Sequence, residues 1–357
     1  MADRKLKAGV IGYGTSAKVF HIPFIVASPH FVLHAILQRS MTNQDDARVN
    51  FADIKVYRSV EDFLEDREVD VVVVATGPES HFTLTKLALE AGKHVVVEKP
   101  FVPTSAEADQ LIALAKRHQR VLTVYQNRRW DADFLTVLEI LDQRMLGNIA
   151  EWESHFDMYM PNLLGTSENE DPPPGSGVLY GLGVHLIDQV VFALGMPQSV
   201  TGIGGWKGAK PATKTETSCT ILLQYETGLL VTLKGNVVST ETEQLRFWIR
   251  GDGGSYKKHY LDIQEDQLVS GRKPSDGSFG VDPESRYGAI VSVIGGKLVR
   301  RSFPTCKPPT YGEFYNLLAR SIFGQGDVPV KATDARNVIR IIELAIKSCN
   351  EGRKLSL

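Results

Sequence analysis

Cysteine is scarce in this 357-residue chain: Cys219, Cys306 and Cys349 lie far apart and lack metal-ligand spacing. They cannot staple a small secreted fold, so a reducing, cytoplasmic setting is expected and a metal site is not. An excess of charge is missing too, with 40 Lys+Arg against 42 Asp+Glu. Binding to nucleic acid draws on clustered basic residues, so no such partner is expected. Long apolar runs are absent. The most apolar stretch, VDVVVVATG (69–77), falls well short of the roughly 20 residues a membrane helix needs, which argues against a membrane partner. The opening MADRKLKAGVIGYG passes from charge into a core-type strand with no apolar stretch of signal-peptide character. No internal repeat or heptad stands out. What remains is a composition of 43% hydrophobic and 23% charged residues, ordinary for a soluble globular protein. The length exceeds one ordinary domain, so two are expected.

The first part alternates strand and helix patterns. LKAGVIG, FVLHAILQR, IKVY, VDVVVVAT, HVVVEKP and VLTVYQN read as strands, with helical patterns between most of them. Ser59 is placed to cap VEDFLEDR, Gly92 to stop SHFTLTKLALEAG, and a further helix is expected from Thr104 to His118. Continuous Val/Ile runs separated by helices mean parallel strands covered on both faces. The expected fold is α/β, with an N-terminal Rossmann-type doubly wound sheet over 1–127. Beyond about residue 130 longer strands with tight turns take over: AEWESHFDMY, SVTGIGGW, TSCTILLQYE, GLLVTLKGNVV and LRFWIRG. These predict an α+β domain over 128–357 built on an open, mainly antiparallel sheet. A helix from about Gly183 to Leu194 interrupts it, and 312–323 and 333–350 read as closing helices, the latter expected to pack back on the first domain. The acidic, Pro/Gly-rich segment 163–177 is expected to be a mobile surface loop.

VIGYGTSA presents Gly12-x-Gly14-x-x-Ala17 straight after the first strand and at the start of the first helix. The first glycine allows a tight turn, the second lets a pyrophosphate reach the backbone, and Ala17 allows close helix–strand packing. The phosphates would meet free N–H groups at the helix start, with Tyr13 and Thr15 beside them. A dinucleotide is therefore expected. Strand two ends in AILQRSMTN with no carboxylate before Asp45, so the acidic residue that favours NAD is missing. Arg39 and Ser40 suit a 2′-phosphate instead, which favours NADP and leaves NAD possible. The competing reading of Arg39 is an ordinary solvated loop charge.

Ligands of a doubly wound sheet sit outside the carboxyl ends of its strands. Glu98-Lys99-Pro100, Thr76-Gly77-Pro78 and Gln126-Asn127-Arg128 occupy such ends. There Lys99 can hold and polarise an alcohol or carbonyl oxygen, and desolvation beside a cationic nicotinamide would lower its proton affinity. Glu98 can orient it or touch the cofactor. An isolated Glu-Lys pair would more simply be a surface salt bridge.

Several spaced motifs lift the pair out of isolation. Gly12-x-Gly14-x-x-Ala17, Thr76-x-Pro78-x-x-His81, LEAGKHVVVEKPF and GVLYGLGVHLID (177–188) together resemble the glucose–fructose oxidoreductase/inositol dehydrogenase/rhizopine-catabolism (Gfo/Idh/MocA) family over essentially the whole chain. FHIPF (20–24) and NRRWD (127–131) resemble one branch of it. The resemblance implies NAD(P)-dependent oxidation or reduction of sugars and polyols, with the lysine of Glu-Lys-Pro and a second-domain histidine beside the nicotinamide. That histidine maps to His185. On its own, a histidine in VHLIDQVVFAL is an ordinary core residue, yet an imidazole can take the hydroxyl proton as hydride leaves the same carbon. The cofactor set so implied adds His81, Glu98, Pro100, Asn127, Arg128 and Trp130 to the glycine turn, and Asp157, Tyr159 and Tyr180 are candidate substrate contacts. One position departs from the pattern. Gly181 stands where the family usually has an Asp that holds a substrate hydroxyl, which puts an inositol-like binding mode in doubt. A cofactor-binding sensor, like the galactose-pathway repressor on the same fold, and a nicotinamide-assisted glycosidase are the competing readings. The open sheet face leads to an expected homodimer or homotetramer.

Overall fold

Runs of β-branched residues build the core of the first part of the chain. The computed structural model describes residues 4–41, 45–51, 53–161, 172–205 and 216–357. In it those runs form β1 (Leu6–Ile11), β2 (Phe31–Leu37), β3 (Lys55–Tyr57), β4 (Val71–Val74), β5 (His94–Val97) and β6 (Leu122–Val124). All pair in parallel in the order β3-β2-β1-β4-β5-β6. The four valines of β4 and Val95, Val96 and Val97 of β5 are fully buried, as a parallel sheet covered on both faces requires. The strand order reverses between β1 and β4, the point at which such sheets open a ligand crevice. Helix boundaries follow local chemistry. Ser59 Oγ accepts the Asp62 amide at 3.1 Å to start Val60–Glu65. Thr104 and Glu107 exchange bonds in a capping box that starts Ser105–His118.

The chain divides into two units, and the second is not one unbroken segment from Arg128 onward. Gln264–Phe279 and Pro309–Arg336 belong with the residues up to Asn127. The reason is aromatic packing. Phe24 lies 6.3 Å from Phe279 and 5.9 Å from Tyr311 between ring centroids, and Phe314 sits edge-on to Tyr125 at 4.8 Å. Helix Gly312–Ile322 thus belongs wholly to the first unit. Helix Ala332–Glu351 is shared, its residues from Asn337 onward belonging to the second unit.

The second unit holds β7 (Ile149–Asp157), β8 (Ser199–Ile203), β9 (Ser218–Gln224), β10 (Leu230–Asn236), β11 (Leu245–Gly251), β12 (Gly254–His259), β13 (Gly288–Ile294), β14 (Lys297–Phe303) and β15 (Leu355–Ser356). They form one sheet ordered β14-β13-β12-β11-β7-β10-β9-β8-β15. Every neighbouring pair is antiparallel except β10 with β7, which run parallel with Leu233 opposite Ser154. Burial alternates along β9 and β10, where Cys219, Ile221, Leu223, Val231 and Leu233 point inward. That alternation marks a sheet with one face covered. Helix Ala132–Asp142 precedes the strands where the sequence reading passes directly to strand. Residues 163–171 of the expected acidic loop lie outside the described residues, as does Trp206, the end of SVTGIGGW.

Candidate functional site

The first unit carries one cluster of candidates. Gly12 follows β1 with φ 99°, and a Cβ there would meet Ala75 O at 2.4 Å. No side chain fits, so the tight turn needs glycine. A Cβ on Gly14 would find no protein atom within 4 Å, so this position faces the open space that a pyrophosphate would fill. Ala17 is fully buried under the following turn, which is π-helical over Ala17–His21 and continues as helix Ile22–Ala27. Thr15 is exposed beside it. A cavity of about 630 Å³ opens here, lined by Gly12, Tyr13, Arg39, Ser40, Asp45, Thr76 and Gly77 among others. Its size and its placement at the carboxyl ends of β1, β2 and β4 fit the adenosine half of a dinucleotide. Asp45 is an ion-pair partner of Lys18, whose ammonium also lies 4.4 Å from the centre of the Tyr13 ring. Asn50 donates to the Tyr13 hydroxyl at 2.8 Å. Arg39 has neither a hydrogen-bond nor an ion-pair partner among the described residues.

Pro78 opens helix Pro78–Glu90. Thr76 Oγ1 lies 2.7 Å from Ser80 Oγ. His81 is turned inward rather than toward the cavity: its ring nitrogens lie 2.8 Å from Pro100 O and 3.1 Å from Thr76 O. It therefore ties the β4 and β5 ends together. Lys99 stands just past β5, and the Lys99–Pro100 bond is cis. Behind it Glu98, 6% exposed, accepts three hydrogen bonds. They come from the Ser16 hydroxyl, from His21 Nε2 at 3.0 Å, and from the Lys99 amide at 2.8 Å. Burial alone would raise the Glu98 carboxyl, but the His21 hydrogen bond, the His21 and Lys99 charges and Ser16 outweigh it and hold it at about 2. His21 Nδ1 lies 2.7 Å from the Tyr315 hydroxyl, and the Tyr125 ring stacks obliquely on His21 at 4.2 Å. Burial pushes both tyrosine hydroxyls well above their ordinary range. Asn127 is buried at the start of the short 3-10 turn that follows β6.

The second unit carries the other cluster. His185 opens helix Val184–Leu194 after a π-helical turn at Leu179–Gly183, and its ring stacks on Phe156 at 5.9 Å. One turn on, Asp188 accepts two hydrogen bonds from Arg129, at 2.7 and 2.8 Å, both residues buried. Gln189 Nε2 donates to Arg128 O at 2.8 Å and its Oε1 accepts from Arg246, which also pairs with Asp133 at 2.7 Å. The helix bearing His185 is thus bolted at consecutive positions. Arg128 lies over the Phe156 ring at 4.7 Å, and Trp130 is buried. Asp157 accepts from His155 Nδ1 at 2.7 Å, while Glu153 lies 2.9 Å from the same ring's Nε2. Tyr159 lies beyond β7 and is 64% exposed. Tyr180 borders a separate cavity of about 380 Å³ with Glu216 and Cys219.

Sequence reasoning missed the residues that support these clusters. His21 was within reach, since FHIPF puts a histidine into an otherwise apolar helix start. Tyr315 and Arg246 carry no local signal at all. In the first unit His34, Asp66 and Glu68 also converge, and Lys55 Nζ supplies their counter-charge at 3.1 Å from Asp66 and 2.9 Å from Glu68.

Comparison with known proteins agrees with both halves. A model of an oxidoreductase family with an NAD-binding Rossmann fold matches residues 6–126, and its C-terminal alpha/beta domain matches 139–357. The chain is 39% identical over 366 residues to the uncharacterized oxidoreductase C115.03 of Schizosaccharomyces pombe, covering 99% of each. It is 32% identical over 352 residues to the scyllo-inositol 2-dehydrogenase (NADP(+)) IolW of Bacillus subtilis, covering 99% of this chain and 96% of the relative. The crystal structure of an oxidoreductase from Bacillus cereus superposes with a TM-score of 0.89 at 30% identity, covering 99% of both chains. Among the described residues no helix is long and apolar enough to cross a membrane.

Proposed function

The chain belongs to the Gfo/Idh/MocA family of oxidoreductases, and from that premise we propose that it is an NADP(H)-dependent enzyme acting on a sugar, polyol or related small alcohol or carbonyl. The observation that carries this reading is the position of Lys99, at the carboxyl end of β5 in the sheet whose glycine turn opens the 630 Å³ cavity. When bound, the nicotinamide supplies C4 as the acceptor or donor of hydride. The Gly12–Gly14 turn would hold its pyrophosphate against the helix start. Arg39 and Ser40 would hold the 2′-phosphate, since Asp45 is already neutralised by Lys18 and Arg39 has no competing partner among the described residues. Lys99 Nζ holds and polarises the reacting oxygen. His185 takes the hydroxyl proton as the C–H bond gives up its electron pair, leaving a carbonyl, and returns that proton in the reverse direction. The Bacillus subtilis relative, by its name an NADP(+)-dependent inositol dehydrogenase, supports both the cofactor and the substrate class. Gly181, however, brings no acceptor for a ring hydroxyl.

The test follows nicotinamide absorbance with NADPH and a panel of sugars, inososes and aldehydes. Lys99→Met should lower turnover by on the order of 10³-fold while NADPH affinity stays within about twofold. Tight NADPH binding with no panel member turned over would replace the enzyme by a sensor. Arg39→Ala should weaken NADPH about tenfold and leave NADH nearly unchanged. Equal losses for the two nucleotides would remove the phosphate assignment.

A further inference from the structure

We infer that His21 is a positioning residue for Lys99, acting through Glu98 and fixed from behind by Tyr315; the inference rests on the oxidoreductase reading of Lys99 above. A buried histidine can satisfy its nitrogens on backbone carbonyls alone, as His81 does with Thr76 O and Pro100 O. His21, fully buried, places both of its nitrogens on side chains instead, and one of these is the carboxylate of Glu-Lys-Pro. A carboxylate can only accept, so His21 Nε2 carries the hydrogen that points at Glu98 Oε1, while Nδ1 is held by the Tyr315 hydroxyl. The Ser16 hydroxyl, two residues past Gly14, donates to the same oxygen. The second carboxylate oxygen takes the Lys99 amide.

Two consequences follow for the lysine. Its backbone is anchored to a carboxylate whose position is set from three directions: the glycine turn, the π-helical turn bearing His21, and helix Gly312–Ile322 bearing Tyr315. The buried carboxylate of Glu98 also interacts with the charge of Lys99, so its position bears on the amine by simple attraction. His21 therefore governs how reactive and how mobile Lys99 is without itself touching substrate.

The test uses the full-length protein and the variants His21→Leu, His21→Gln and Tyr315→Phe. Lys99 is followed by its rate of modification with trinitrobenzenesulfonate, read by peptide mass spectrometry, and NADPH binding by fluorescence titration. His21→Leu removes one of the three donors that hold Glu98 and loosens the carboxylate to which the Lys99 amide is tied, so Lys99 should be modified on the order of fivefold faster, with NADPH affinity within about twofold. His21→Gln restores an N–H in the place of Nε2 and should bring the rate back to within about twofold of the parent. If His21→Leu does not fold, Tyr315→Phe, which keeps the ring packing, should still speed modification about twofold. Equal modification rates in the folded variants, or a leucine effect that glutamine does not reverse, overturn the role of His21. Separately, NADPH should slow Lys99 modification in the unaltered protein. Absence of that protection would overturn the oxidoreductase reading and leave the variant comparison to decide about His21 on its own.

Discussion

Lys99 and His185 are supported by opposite chemistry. Behind Lys99 lies a single buried carboxylate held by an imidazole, a hydroxyl and an amide, with the Tyr125 ring tilted over the imidazole and the Tyr315 ring edge-on to it. Around the helix of His185 the charges come in matched pairs, Arg129 with Asp188 and Arg246 with Asp133, all buried. Under the roles proposed above, the difference has a physical reading. A lysine proposed to polarise an oxygen would be tuned by a nearby charge, and the single carboxylate of Glu98 would serve it. An acid–base imidazole has to be held still without being biased, and neutral ion pairs orient its helix while adding little net field.

The sharpest way to break that contrast is on the histidine side. Asp188→Ala leaves the Arg129 guanidinium buried without its two-point partner, which should cost about 3–5 kcal/mol. Native-state hydrogen exchange should show the loss in helix Val184–Leu194 and leave β5 protected. Adding Arg129→Met should recover most of it, because the uncompensated charge goes with the guanidinium. If the single variant is as stable as its parent, Asp188 is not what holds the helix, and the matched-pair account of His185 fails.

Much of this was legible in the sequence, and the limits of legibility are physical. Lys99 and His185 each sit in a run of neighbours with its own pattern: valines ending on Glu-Lys-Pro, and a glycine-rich turn leading into an apolar helix. The first sheet could be read because buried parallel strands are continuous apolar runs. β12 and β14 could not be read so easily: KLVRRSF carries the charges of an edge strand, and in GSYKKH an exposed Lys257 is followed by a fully buried Lys258 paired with Asp282. The two π-helical turns leave no periodic signature that differs from an ordinary helix. Above all, the supports are long-range: His21 reaches Tyr315 across 294 positions and Arg246 reaches Asp133 across 113. The same distance hid the domain division, because Phe279, Tyr311 and Phe314 return to the first unit only through packing. No local propensity encodes a partner that far away.

The smaller effect lies on the lysine side and appears as a pH dependence. Glu98 is held at about 2 against an ordinary value of 4.5, so its folded-state proton affinity is depressed. A depressed carboxyl stabilises the fold fully above about pH 4.5, where it is ionised in both states. That contribution drains away as pH falls from about 4.5 to about 2, where the unfolded chain takes up the proton first. For a buried carboxyl that depression corresponds to about 3 kcal/mol. Urea unfolding of the parent and of Glu98→Gln across this range should show the parent ahead by roughly that amount at about pH 6, with the gap closing toward about pH 2. The matched pairs around His185 are intact in both proteins and cancel from the difference. A gap that stays constant with pH would mean that Glu98 is held by shape alone. The single carboxylate would then cease to distinguish the lysine side from the histidine side.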